Sequence, residues 1–313
     1  MKYYMFLVLA VLFWSGNFIF GKLVSNNTTP MQLSFYRWFF VLILLLPYIL
    51  LHYKNIFLVL KKKYLLIIIF GALGIAGFNT FLYYGLQTTT ATNALLINSS
   101  TPIFIIILGA LIFRTAIRKI QIVGILISTI GVIYLILKGE INHIFELKFT
   151  VGDLWIIAAC IDWALYTILL KYKPKELTSF EFFGITTFIG TIILALIFFY
   201  QGYNFEFSFL EKDAVLYSLI YIVIFPSILS FYFWNMATIE IGANKAGQSA
   251  HLMPIFGAFL AYIFLDEVLQ FYHMVGMILI ALGIYGSFRL MYEASTTWLD
   301  QRPKIFKRIF PKK

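Results

Sequence analysis

The chain is dominated by apolar runs of about twenty residues, separated by short polar connections. The hydrocarbon core of a bilayer is about 30 Å thick, so a helix needs about 20 apolar residues to cross it. Charged residues make up only 12% of the 313 residues, whereas soluble domains usually carry about 25%. Backbone that faces lipid must satisfy its own hydrogen bonds. The runs therefore predict membrane-spanning helices.

We predict an all-α integral membrane protein with ten transmembrane helices. The ten predicted spans cover residues 3–24, 30–52, 64–86, 91–113, 119–138, 152–172, 179–200, 213–236, 243–265 and 270–290.

Lysine and arginine are distributed unequally between alternate connections. With the N-terminus placed inside, nineteen basic residues fall on the inner side and four on the outer side, and Arg37 lies within a span. Connections on the cytoplasmic side of a membrane are enriched in Lys and Arg. This bias predicts that both termini are cytoplasmic, and it explains the net charge of +10 without nucleic acid.

Two parts of the sequence match one another. The segment Pro102–Phe104 recurs 152 residues later as Pro254–Phe256, and the pair Gly124 and Gly131 recurs as Gly276 and Gly283. A five-helix unit that begins inside ends outside, so a second copy must run inverted, as in many secondary transporters. The prediction is a first repeat at 1–138, a linker at 139–151, an inverted repeat at 152–290 and a basic tail at 291–313.

The order of several short motifs resembles the EamA family of the drug/metabolite transporter superfamily. The motifs are Trp14–Phe18, Pro30 followed by Arg37, Pro102, Gly152–Leu154, Trp163–Tyr166, Pro254 and Glu267. The resemblance implies two five-helix domains that move small metabolites across the inner membrane. It also implies a central cavity lined by helices one, three, four, six, eight and nine. The first copy has Thr115 where the second has Glu267, and Thr186 corresponds to Arg37, so the two halves differ chemically.

Three ionisable residues within predicted spans are candidates for coupling or gating. Asp162 lies near the middle of span six, where a charge is costly, and it would serve as a proton site, a counter-charge for a cationic solute or a structural carboxyl. Arg37 would form a gating or structural ion pair, with Asp162 as one possible partner by depth, or extend to the outer headgroups. His251 would relay protons or simply pack.

Amides and aromatic rings within the spans are candidates for the wall of a solute cavity. The alternative for the amides is interhelical hydrogen bonding. The complete candidate set is Trp14, Asn17, Asn79, Tyr83, Asn98, Asp162, Trp163, Tyr166, Asn235, Gln248 and His251. Pro102 and Pro254 are expected to bend their helices. The glycine pairs are expected to form close helix contacts.

The predicted function is a secondary active transporter that moves a small organic metabolite by alternating access, with export favoured and proton coupling left open. The metabolite would be an amino acid, a nucleoside-like compound or a drug. The alternative is a membrane enzyme that acts on a lipid or lipid-linked substrate. We expect no cofactor, metal, catalytic residue or nucleic-acid partner. We expect the basic tail to contact anionic lipids of the inner leaflet or to be disordered, and the protein to be a monomer or homodimer.

Overall fold

The computed structural model describes residues 2–113, 119–146, 150–264 and 271–292, and all regular elements in these ranges are helical. The helices of the first half are α1 (Lys2–Val24), α2 (Pro30–Leu51), α3 (Tyr53–Phe70), α4 (Phe78–Thr88), α5 (Ala91–Asn98), α6 (Thr101–Phe113) and α7 (Lys119–Ile136). Those of the second half are α8 (Val151–Leu169), α9 (Ser179–Tyr200), α10 (Asp213–Ile222), α11 (Ser230–Ile241), α12 (Ala243–Gln248), α13 (Met253–Phe264) and α14 (Phe271–Tyr292). Short 3₁₀ segments cover Ile141–Glu146, Leu170–Tyr172, Ser208–Glu211 and Ser249–Leu252.

Six helical stretches in the described ranges are long and apolar enough to cross a membrane. They are Lys2–Val24, Pro30–Leu51, Tyr53–Thr88, Val151–Tyr172, Ser179–Tyr200 and Asp213–Ile241. Shorter apolar helices occupy Thr101–Phe113, Ile122–Leu135 and Phe271–Gly283. The prediction of a helical, multi-pass membrane protein is confirmed. The basic tail beyond residue 292 lies outside the described residues, as do Thr115 and Glu267.

Helices α2 and α9 begin with the same local signal. At the start of α2, Thr29 and Gln32 form a capping box, and Pro30 occupies the first turn. At the start of α9, Thr178 and Glu181 form the equivalent box. Each box satisfies backbone N–H groups that have no partner within the helix. These signals explain why both helices begin within one residue of the predicted position.

Span three is longer than predicted, because α3 already begins at Tyr53 and is kinked at Lys63 (φ −133°, ψ 28°). Before the kink, Ile56 and Val59 are buried while Lys61 and Lys62 are exposed. Apolar residues three apart form one face of a helix. The lysine-rich stretch expected to be a connection is therefore an amphipathic helix.

Spans three and eight each contain a seven-residue π-helical segment, Gly71–Gly77 and Val223–Leu229. Such segments are rare and frequently lie at functional sites. In the second segment Pro226 has no N–H to donate, which interrupts the normal bonding pattern. The hydroxyl groups of Ser227 and Ser230 donate to the carbonyl oxygens of Ile222 (2.6 Å) and Phe225 (3.0 Å). Side-chain hydroxyl groups thus donate hydrogen bonds to backbone carbonyl oxygens around Val223–Leu229.

Predicted spans four and nine are each interrupted near their middle. Span four is divided between Asn98 and Thr101, and span nine contains the 3₁₀ turn Ser249–Leu252. Pro102 and Pro254 are the second residues of α6 and α13, where a missing N–H costs little. The expected bends therefore take the form of interruptions that precede the prolines.

The main helix contacts are α1 with α11 and α13, α2 with α9, α4 and α6 with α8, and α7 with α14. The α7–α14 contact is close because a Cβ on Gly131 would lie only 3.0 Å from the carbonyl oxygen of Gly276, and one on Gly283 would meet the carbonyl of Gly124. The predicted packing role of these glycines is confirmed. Val132, Leu135 and Ile280 form a small core here, separate from the main one.

Candidate solute-binding site

An aromatic cluster occupies the centre of the main core. Its members are Trp14, Phe78, Trp163, Tyr166, Phe231 and Trp234. The Trp163 ring centroid lies 5.0 Å from that of Trp14 and 5.0 Å from that of Tyr166, and Trp14 and Trp234 are 5.1 Å apart. These distances are typical of favourable aromatic pairs. All six rings are buried.

Helix periodicity explains how four helices build the aromatic cluster. Trp163 and Tyr166 are three residues apart in α8, and Phe231 and Trp234 are three apart in α11. Residues at this spacing share one helix face. Trp14 comes from α1 and Phe78 from α4, so the cluster joins elements of both halves of the chain.

Several buried polar atoms on or beside these helices have no hydrogen-bond partner. They are Trp234 Nε1, Asn235 Nδ2, Asp162 Oδ2, both amide atoms of Gln248 and both ring nitrogens of His251. Tyr166 Oη donates to Asn235 Oδ1 at 2.8 Å, which leaves only the Asn235 amine group free. An unsatisfied buried polar group costs about 1–3 kcal/mol. These free donors and acceptors are therefore candidates for ligand contact.

Asp162 lies against the first π-helical segment. A Cβ on Gly77 would contact Asp162 Oδ1, so only glycine permits this approach of the carboxyl group to the backbone. The side chain is buried, and in the described ranges it forms no ion pair. The ion pair with Arg37 that was considered from sequence is therefore not formed.

Arg37 is completely buried, so the alternative in which its side chain extends to the outer headgroups is wrong. Its Nη1 donates to Asn79 Oδ1 (2.6 Å), Tyr83 Oη (2.8 Å) and Asn17 Oδ1 (3.3 Å), and its Nε donates to Ser227 Oγ (2.5 Å). Tyr83 Oη also donates to Asn17 Oδ1 at 2.9 Å. Arg37 Nη2 has no partner. We call these five residues the arginine cluster.

The arginine cluster adjoins the aromatic cluster. Trp14 Nε1 donates to the carbonyl oxygen of Pro226 at 2.9 Å, and the next residue, Ser227, bonds Arg37. Asn17 lies one turn after Trp14 in α1. The two clusters are therefore neighbours within the core.

The remaining predicted residues lie at the interruptions of spans four and nine. Asn98 Nδ2 contacts Met253 Sδ at 2.8 Å, which is an interhelical contact. Gln248 and His251 are buried on either side of Ser249, and His251 lies on the 3₁₀ turn that packs against α1. Neither ring nitrogen of His251 has a hydrogen-bond partner among the described residues, and its role in proton relay stays a prediction.

Sequence reasoning missed Phe78, Phe231, Trp234 and Ser227. The stretch "SFYFWN" is a dense aromatic run, but aromatic residues make up 19% of the chain, which hides any single one. Among the described residues no group of three or more His, Cys, Asp or Glu is placed to hold a metal ion.

Polar ties lie near both ends of the bundle. At one end Lys22 Nζ donates to the carbonyl oxygens of Leu86 (2.7 Å) and Thr89 (2.9 Å), and Thr89 Oγ1 bonds Asp153. At the other, Lys63 pairs with Glu176 at 2.7 Å. The hydrogen bond from Lys63 holds the pKa of the Glu176 carboxyl below its ordinary value. The two clusters lie between these ties along the spans.

The family model described as the EamA-like transporter family matches residues 1–137 and again 150–289. An uncharacterized transporter of Archaeoglobus fulgidus is 27% identical, with 91% of this chain and 96% of that protein covered. The uncharacterized transporter YyaM of Bacillus subtilis is 28% identical over 72% of this chain and 73% of its own.

A solved structure, described only as a crystal structure of a protein, superposes with a TM-score of 0.72. It covers 93% of this chain and 98% of its own, and its 16% identity indicates a shared fold alone. The family match spans most of the sequence and agrees with the helical, membrane-spanning architecture. The chain belongs to the EamA-like transporter family.

Proposed function

We propose that this protein is a secondary active transporter that exports a small organic metabolite by alternating access. The observation that carries the proposal is the buried aromatic cluster, which is bordered by unpartnered polar atoms of Asp162 in α8 and of Trp234 and Asn235 in α11. Pockets for small solutes combine apolar walls with a few polar groups that fix orientation. An amino acid, a nucleoside-like compound or a drug fits this description.

The proposal includes ten transmembrane helices arranged as two inverted repeats. The π-helical segments begin 152 residues apart, at Gly71 and Val223, and the capping boxes lie 149 residues apart, at Thr29 and Thr178. Pro102 and Pro254 are also 152 residues apart, and each follows an interruption of its span. The recurrence of the same backbone features at these spacings supports a duplicated unit. Because the unit has an odd number of helices, five, the second copy is inverted relative to the first.

The pattern of helix contacts also supports a twofold relation. In the proposed repeat α1 corresponds to α8, and α4 corresponds to α11. The contact of α1 with α11 therefore has the contact of α8 with α4 as its equivalent, and both contacts are present. The contact of α2 with Val223–Leu229 corresponds in the same way to that of α9 with Gly71–Gly77. Two halves with interchangeable contacts can exchange conformations, which is what opening to alternate sides requires.

The polar ties at both ends supply a physical basis for gating. Opening one side requires breaking either the bonds of Lys22 and Asp153 or the pair between Lys63 and Glu176. Exposed ion pairs contribute about 0–1 kcal/mol, so the pair between Lys63 and Glu176 can break at modest cost. Asp162 is proposed as the proton-coupling residue, because its Oδ2 is buried without a partner.

We place the protein in the inner membrane with both termini cytoplasmic, on the strength of the basic inner connections. The basic tail at 291–313 is proposed to lie on anionic lipid. The oligomeric state, monomer or homodimer, stays a prediction.

The test is release of solutes from proteoliposomes loaded with pooled amino acids, nucleosides and aromatic drugs, measured by mass spectrometry against protein-free vesicles. We expect wild-type protein to release a subset of the pool. Trp163→Phe should reduce the initial rate about two- to tenfold, because the smaller ring cannot reach all the aromatic partners of Trp163 and one such pair contributes ~0.5–1.5 kcal/mol.

Trp155→Phe is the matched control, since Trp155 lies in the same helix but is 38% exposed and stacks on Phe81 outside the aromatic cluster. Its release rate should equal that of wild type. Equal losses in the two variants, or no selective release by wild type, would contradict the proposal.

A further inference from the structure

We propose that Arg37 binds the carboxylate of the transported solute, which is therefore an amphipathic organic anion. The inference rests on the proposed transport function and specifies the class of solute. A buried guanidinium needs an anion or a full set of acceptors. Arg37 is 0% exposed and has neither, because its Nη2 lacks a partner.

The groups around Arg37 provide hydrogen bonds but no negative charge. Its four contacts are two amide oxygens, a phenol and a serine hydroxyl, all neutral. Among the described residues no Asp or Glu lies within ion-pair distance of it. The arginine cluster thus fixes the guanidinium in place while leaving its charge unneutralised. A solute carboxylate supplies both the missing charge and the acceptor for Nη2.

The fold does not require an arginine at this position. The equivalent residue of the other half is Thr186, whose hydroxyl bonds only its own helix, at Phe182 and Phe183. A Cβ on Gly71 would lie 3.0 Å from the carbonyl oxygen of Thr186, and the nearest atoms of α9 at this point belong to the uncharged residues Thr186, Ile189 and Gly190. The same helix contact thus forms without a charge, which points to a role for Arg37 beyond packing.

The surroundings of the guanidinium also define the rest of the solute. Arg37 Cζ lies 5.1 Å from the Trp38 ring, and Trp38 contacts Phe231 of the aromatic cluster with ring centroids 5.0 Å apart. On its other side the arginine cluster reaches Trp14 through Pro226 and Ser227. A solute held at Arg37 therefore places its body against aromatic rings, so an apolar or aromatic body is favoured over a polyhydroxylated one.

The experiment is calorimetric titration of the purified full-length protein with three matched pairs of probes. These are phenylacetate, indole-3-acetate and octanoate, each compared with its neutral primary amide at constant ionic strength. Such binding needs no transport, so a failure here is distinguishable from a failure of the release assay. Sodium chloride is titrated separately, because an inorganic anion would satisfy the same guanidinium.

We expect at least one carboxylate to bind about tenfold or more tightly than its amide, the scale of one charge-assisted hydrogen bond. Arg37→Gln should remove this preference by weakening carboxylate binding to the level of the amide. Thr186→Val, the matched control, should retain it.

Equal affinities within every probe pair, or no binding of any carboxylate, would overturn the proposal; this comparison needs only wild-type protein and holds even where Arg37→Gln does not fold. A carboxylate preference that persists in Arg37→Gln would overturn it as well. Chloride binding that matches that of all three carboxylates would assign the site to inorganic anions instead.

Discussion

The contact between α9 and the first π-helical segment leads to a quantitative prediction. Gly190 faces this segment, and a Cβ added there would lie 2.7 Å from the carbonyl oxygen of Gly71 and 2.5 Å from Ile75 Cγ2. Normal carbon contacts are about 3.5–4.0 Å, so Gly190→Ala must push α9 and the segment apart by up to about 1 Å. The opposing atoms are backbone and a β-branched side chain, which cannot turn aside.

The cost of this separation can be estimated. Overpacking by a methyl group costs about 1–3 kcal/mol. Replacing glycine by alanine within a helix stabilises the helix by ~0.8–1.0 kcal/mol. Because the blocking atoms are rigid, we expect the upper part of the first range and a net destabilisation of about 1–2 kcal/mol.

The assay is thermal unfolding of purified protein in detergent. Gly190→Ala should lower the apparent Tm by several degrees, at ~2–4 °C per kcal/mol. Gly257→Ala is the control, since its Cβ would meet only Leu95 Cδ1 at 3.3 Å, the end of a flexible side chain, and its Tm should equal or exceed that of wild type. If the two variants unfold at the same temperature, the close approach of α9 to Gly71–Gly77 is refuted.

Three other predictions test coupling, gating and topology. Asp162→Asn should insert normally yet lose either transport or its pH dependence in proteoliposomes; wild-type transport with an unchanged pH profile would exclude proton coupling through Asp162. Glu176 has a lowered pKa, so its pair with Lys63 should persist above the ordinary carboxyl pKa and be lost as the pH falls through the lowered value. Glu176→Gln should reduce the loss of detergent thermal stability over that acidic range, whereas an unchanged profile would remove this role for the pair. Reporter fusions at 145 and 204 should read outside and those at 175 and 313 inside, and any reversed fusion would contradict the inverted repeat.

The ends of several helices could be predicted because local sequence determines them. Pro30 with its capping box starts α2, and Thr178 with Glu181 starts α9. These signals lie within three residues of each other, so no tertiary information is needed. The length of an apolar run, compared with the thickness of a bilayer, was likewise sufficient to identify membrane-spanning helices.

The π-helical segments could not be predicted from the same information. Val223–Leu229 contains a proline, but Pro47 in α2 lies within an ordinary α-helical stretch, so proline alone does not indicate which helix changes its bonding. In Gly71–Gly77 the glycines allow close packing, and Tyr166 and Asp162 occupy the space that side chains at Gly74 and Gly77 would need. Tertiary contacts therefore decide the local geometry, and they are invisible in a single sequence.

The sequence predicted several residues of the candidate site but not which hydrogen bonds join them. Asn17, Asn79 and Tyr83 were expected to face inward, and they do, yet nothing in their spacing shows that all three bond Arg37. Ser227 carried no signal at all. A partner 190 residues away from Arg37 is determined by the packing of α2 on span eight, which sequence periodicity does not specify.

The differences between the two halves bear on how such a protein can work. Both halves carry a π-helical segment, an interrupted helix and a capping box at equivalent positions, and these are features of the backbone. The side chains at the same positions diverge: Arg37 corresponds to Thr186, and Asp162 in the second half corresponds to Phe13 in the first. Motion between two states requires only that the backbones be interchangeable. Recognition of a solute requires charges in fixed places, and a single guanidinium or carboxylate suffices. Under the proposed inverted repeat, duplication would supply the moving parts and divergence the binding site, so Arg37 and Asp162, which differ between the halves, are the residues to change first.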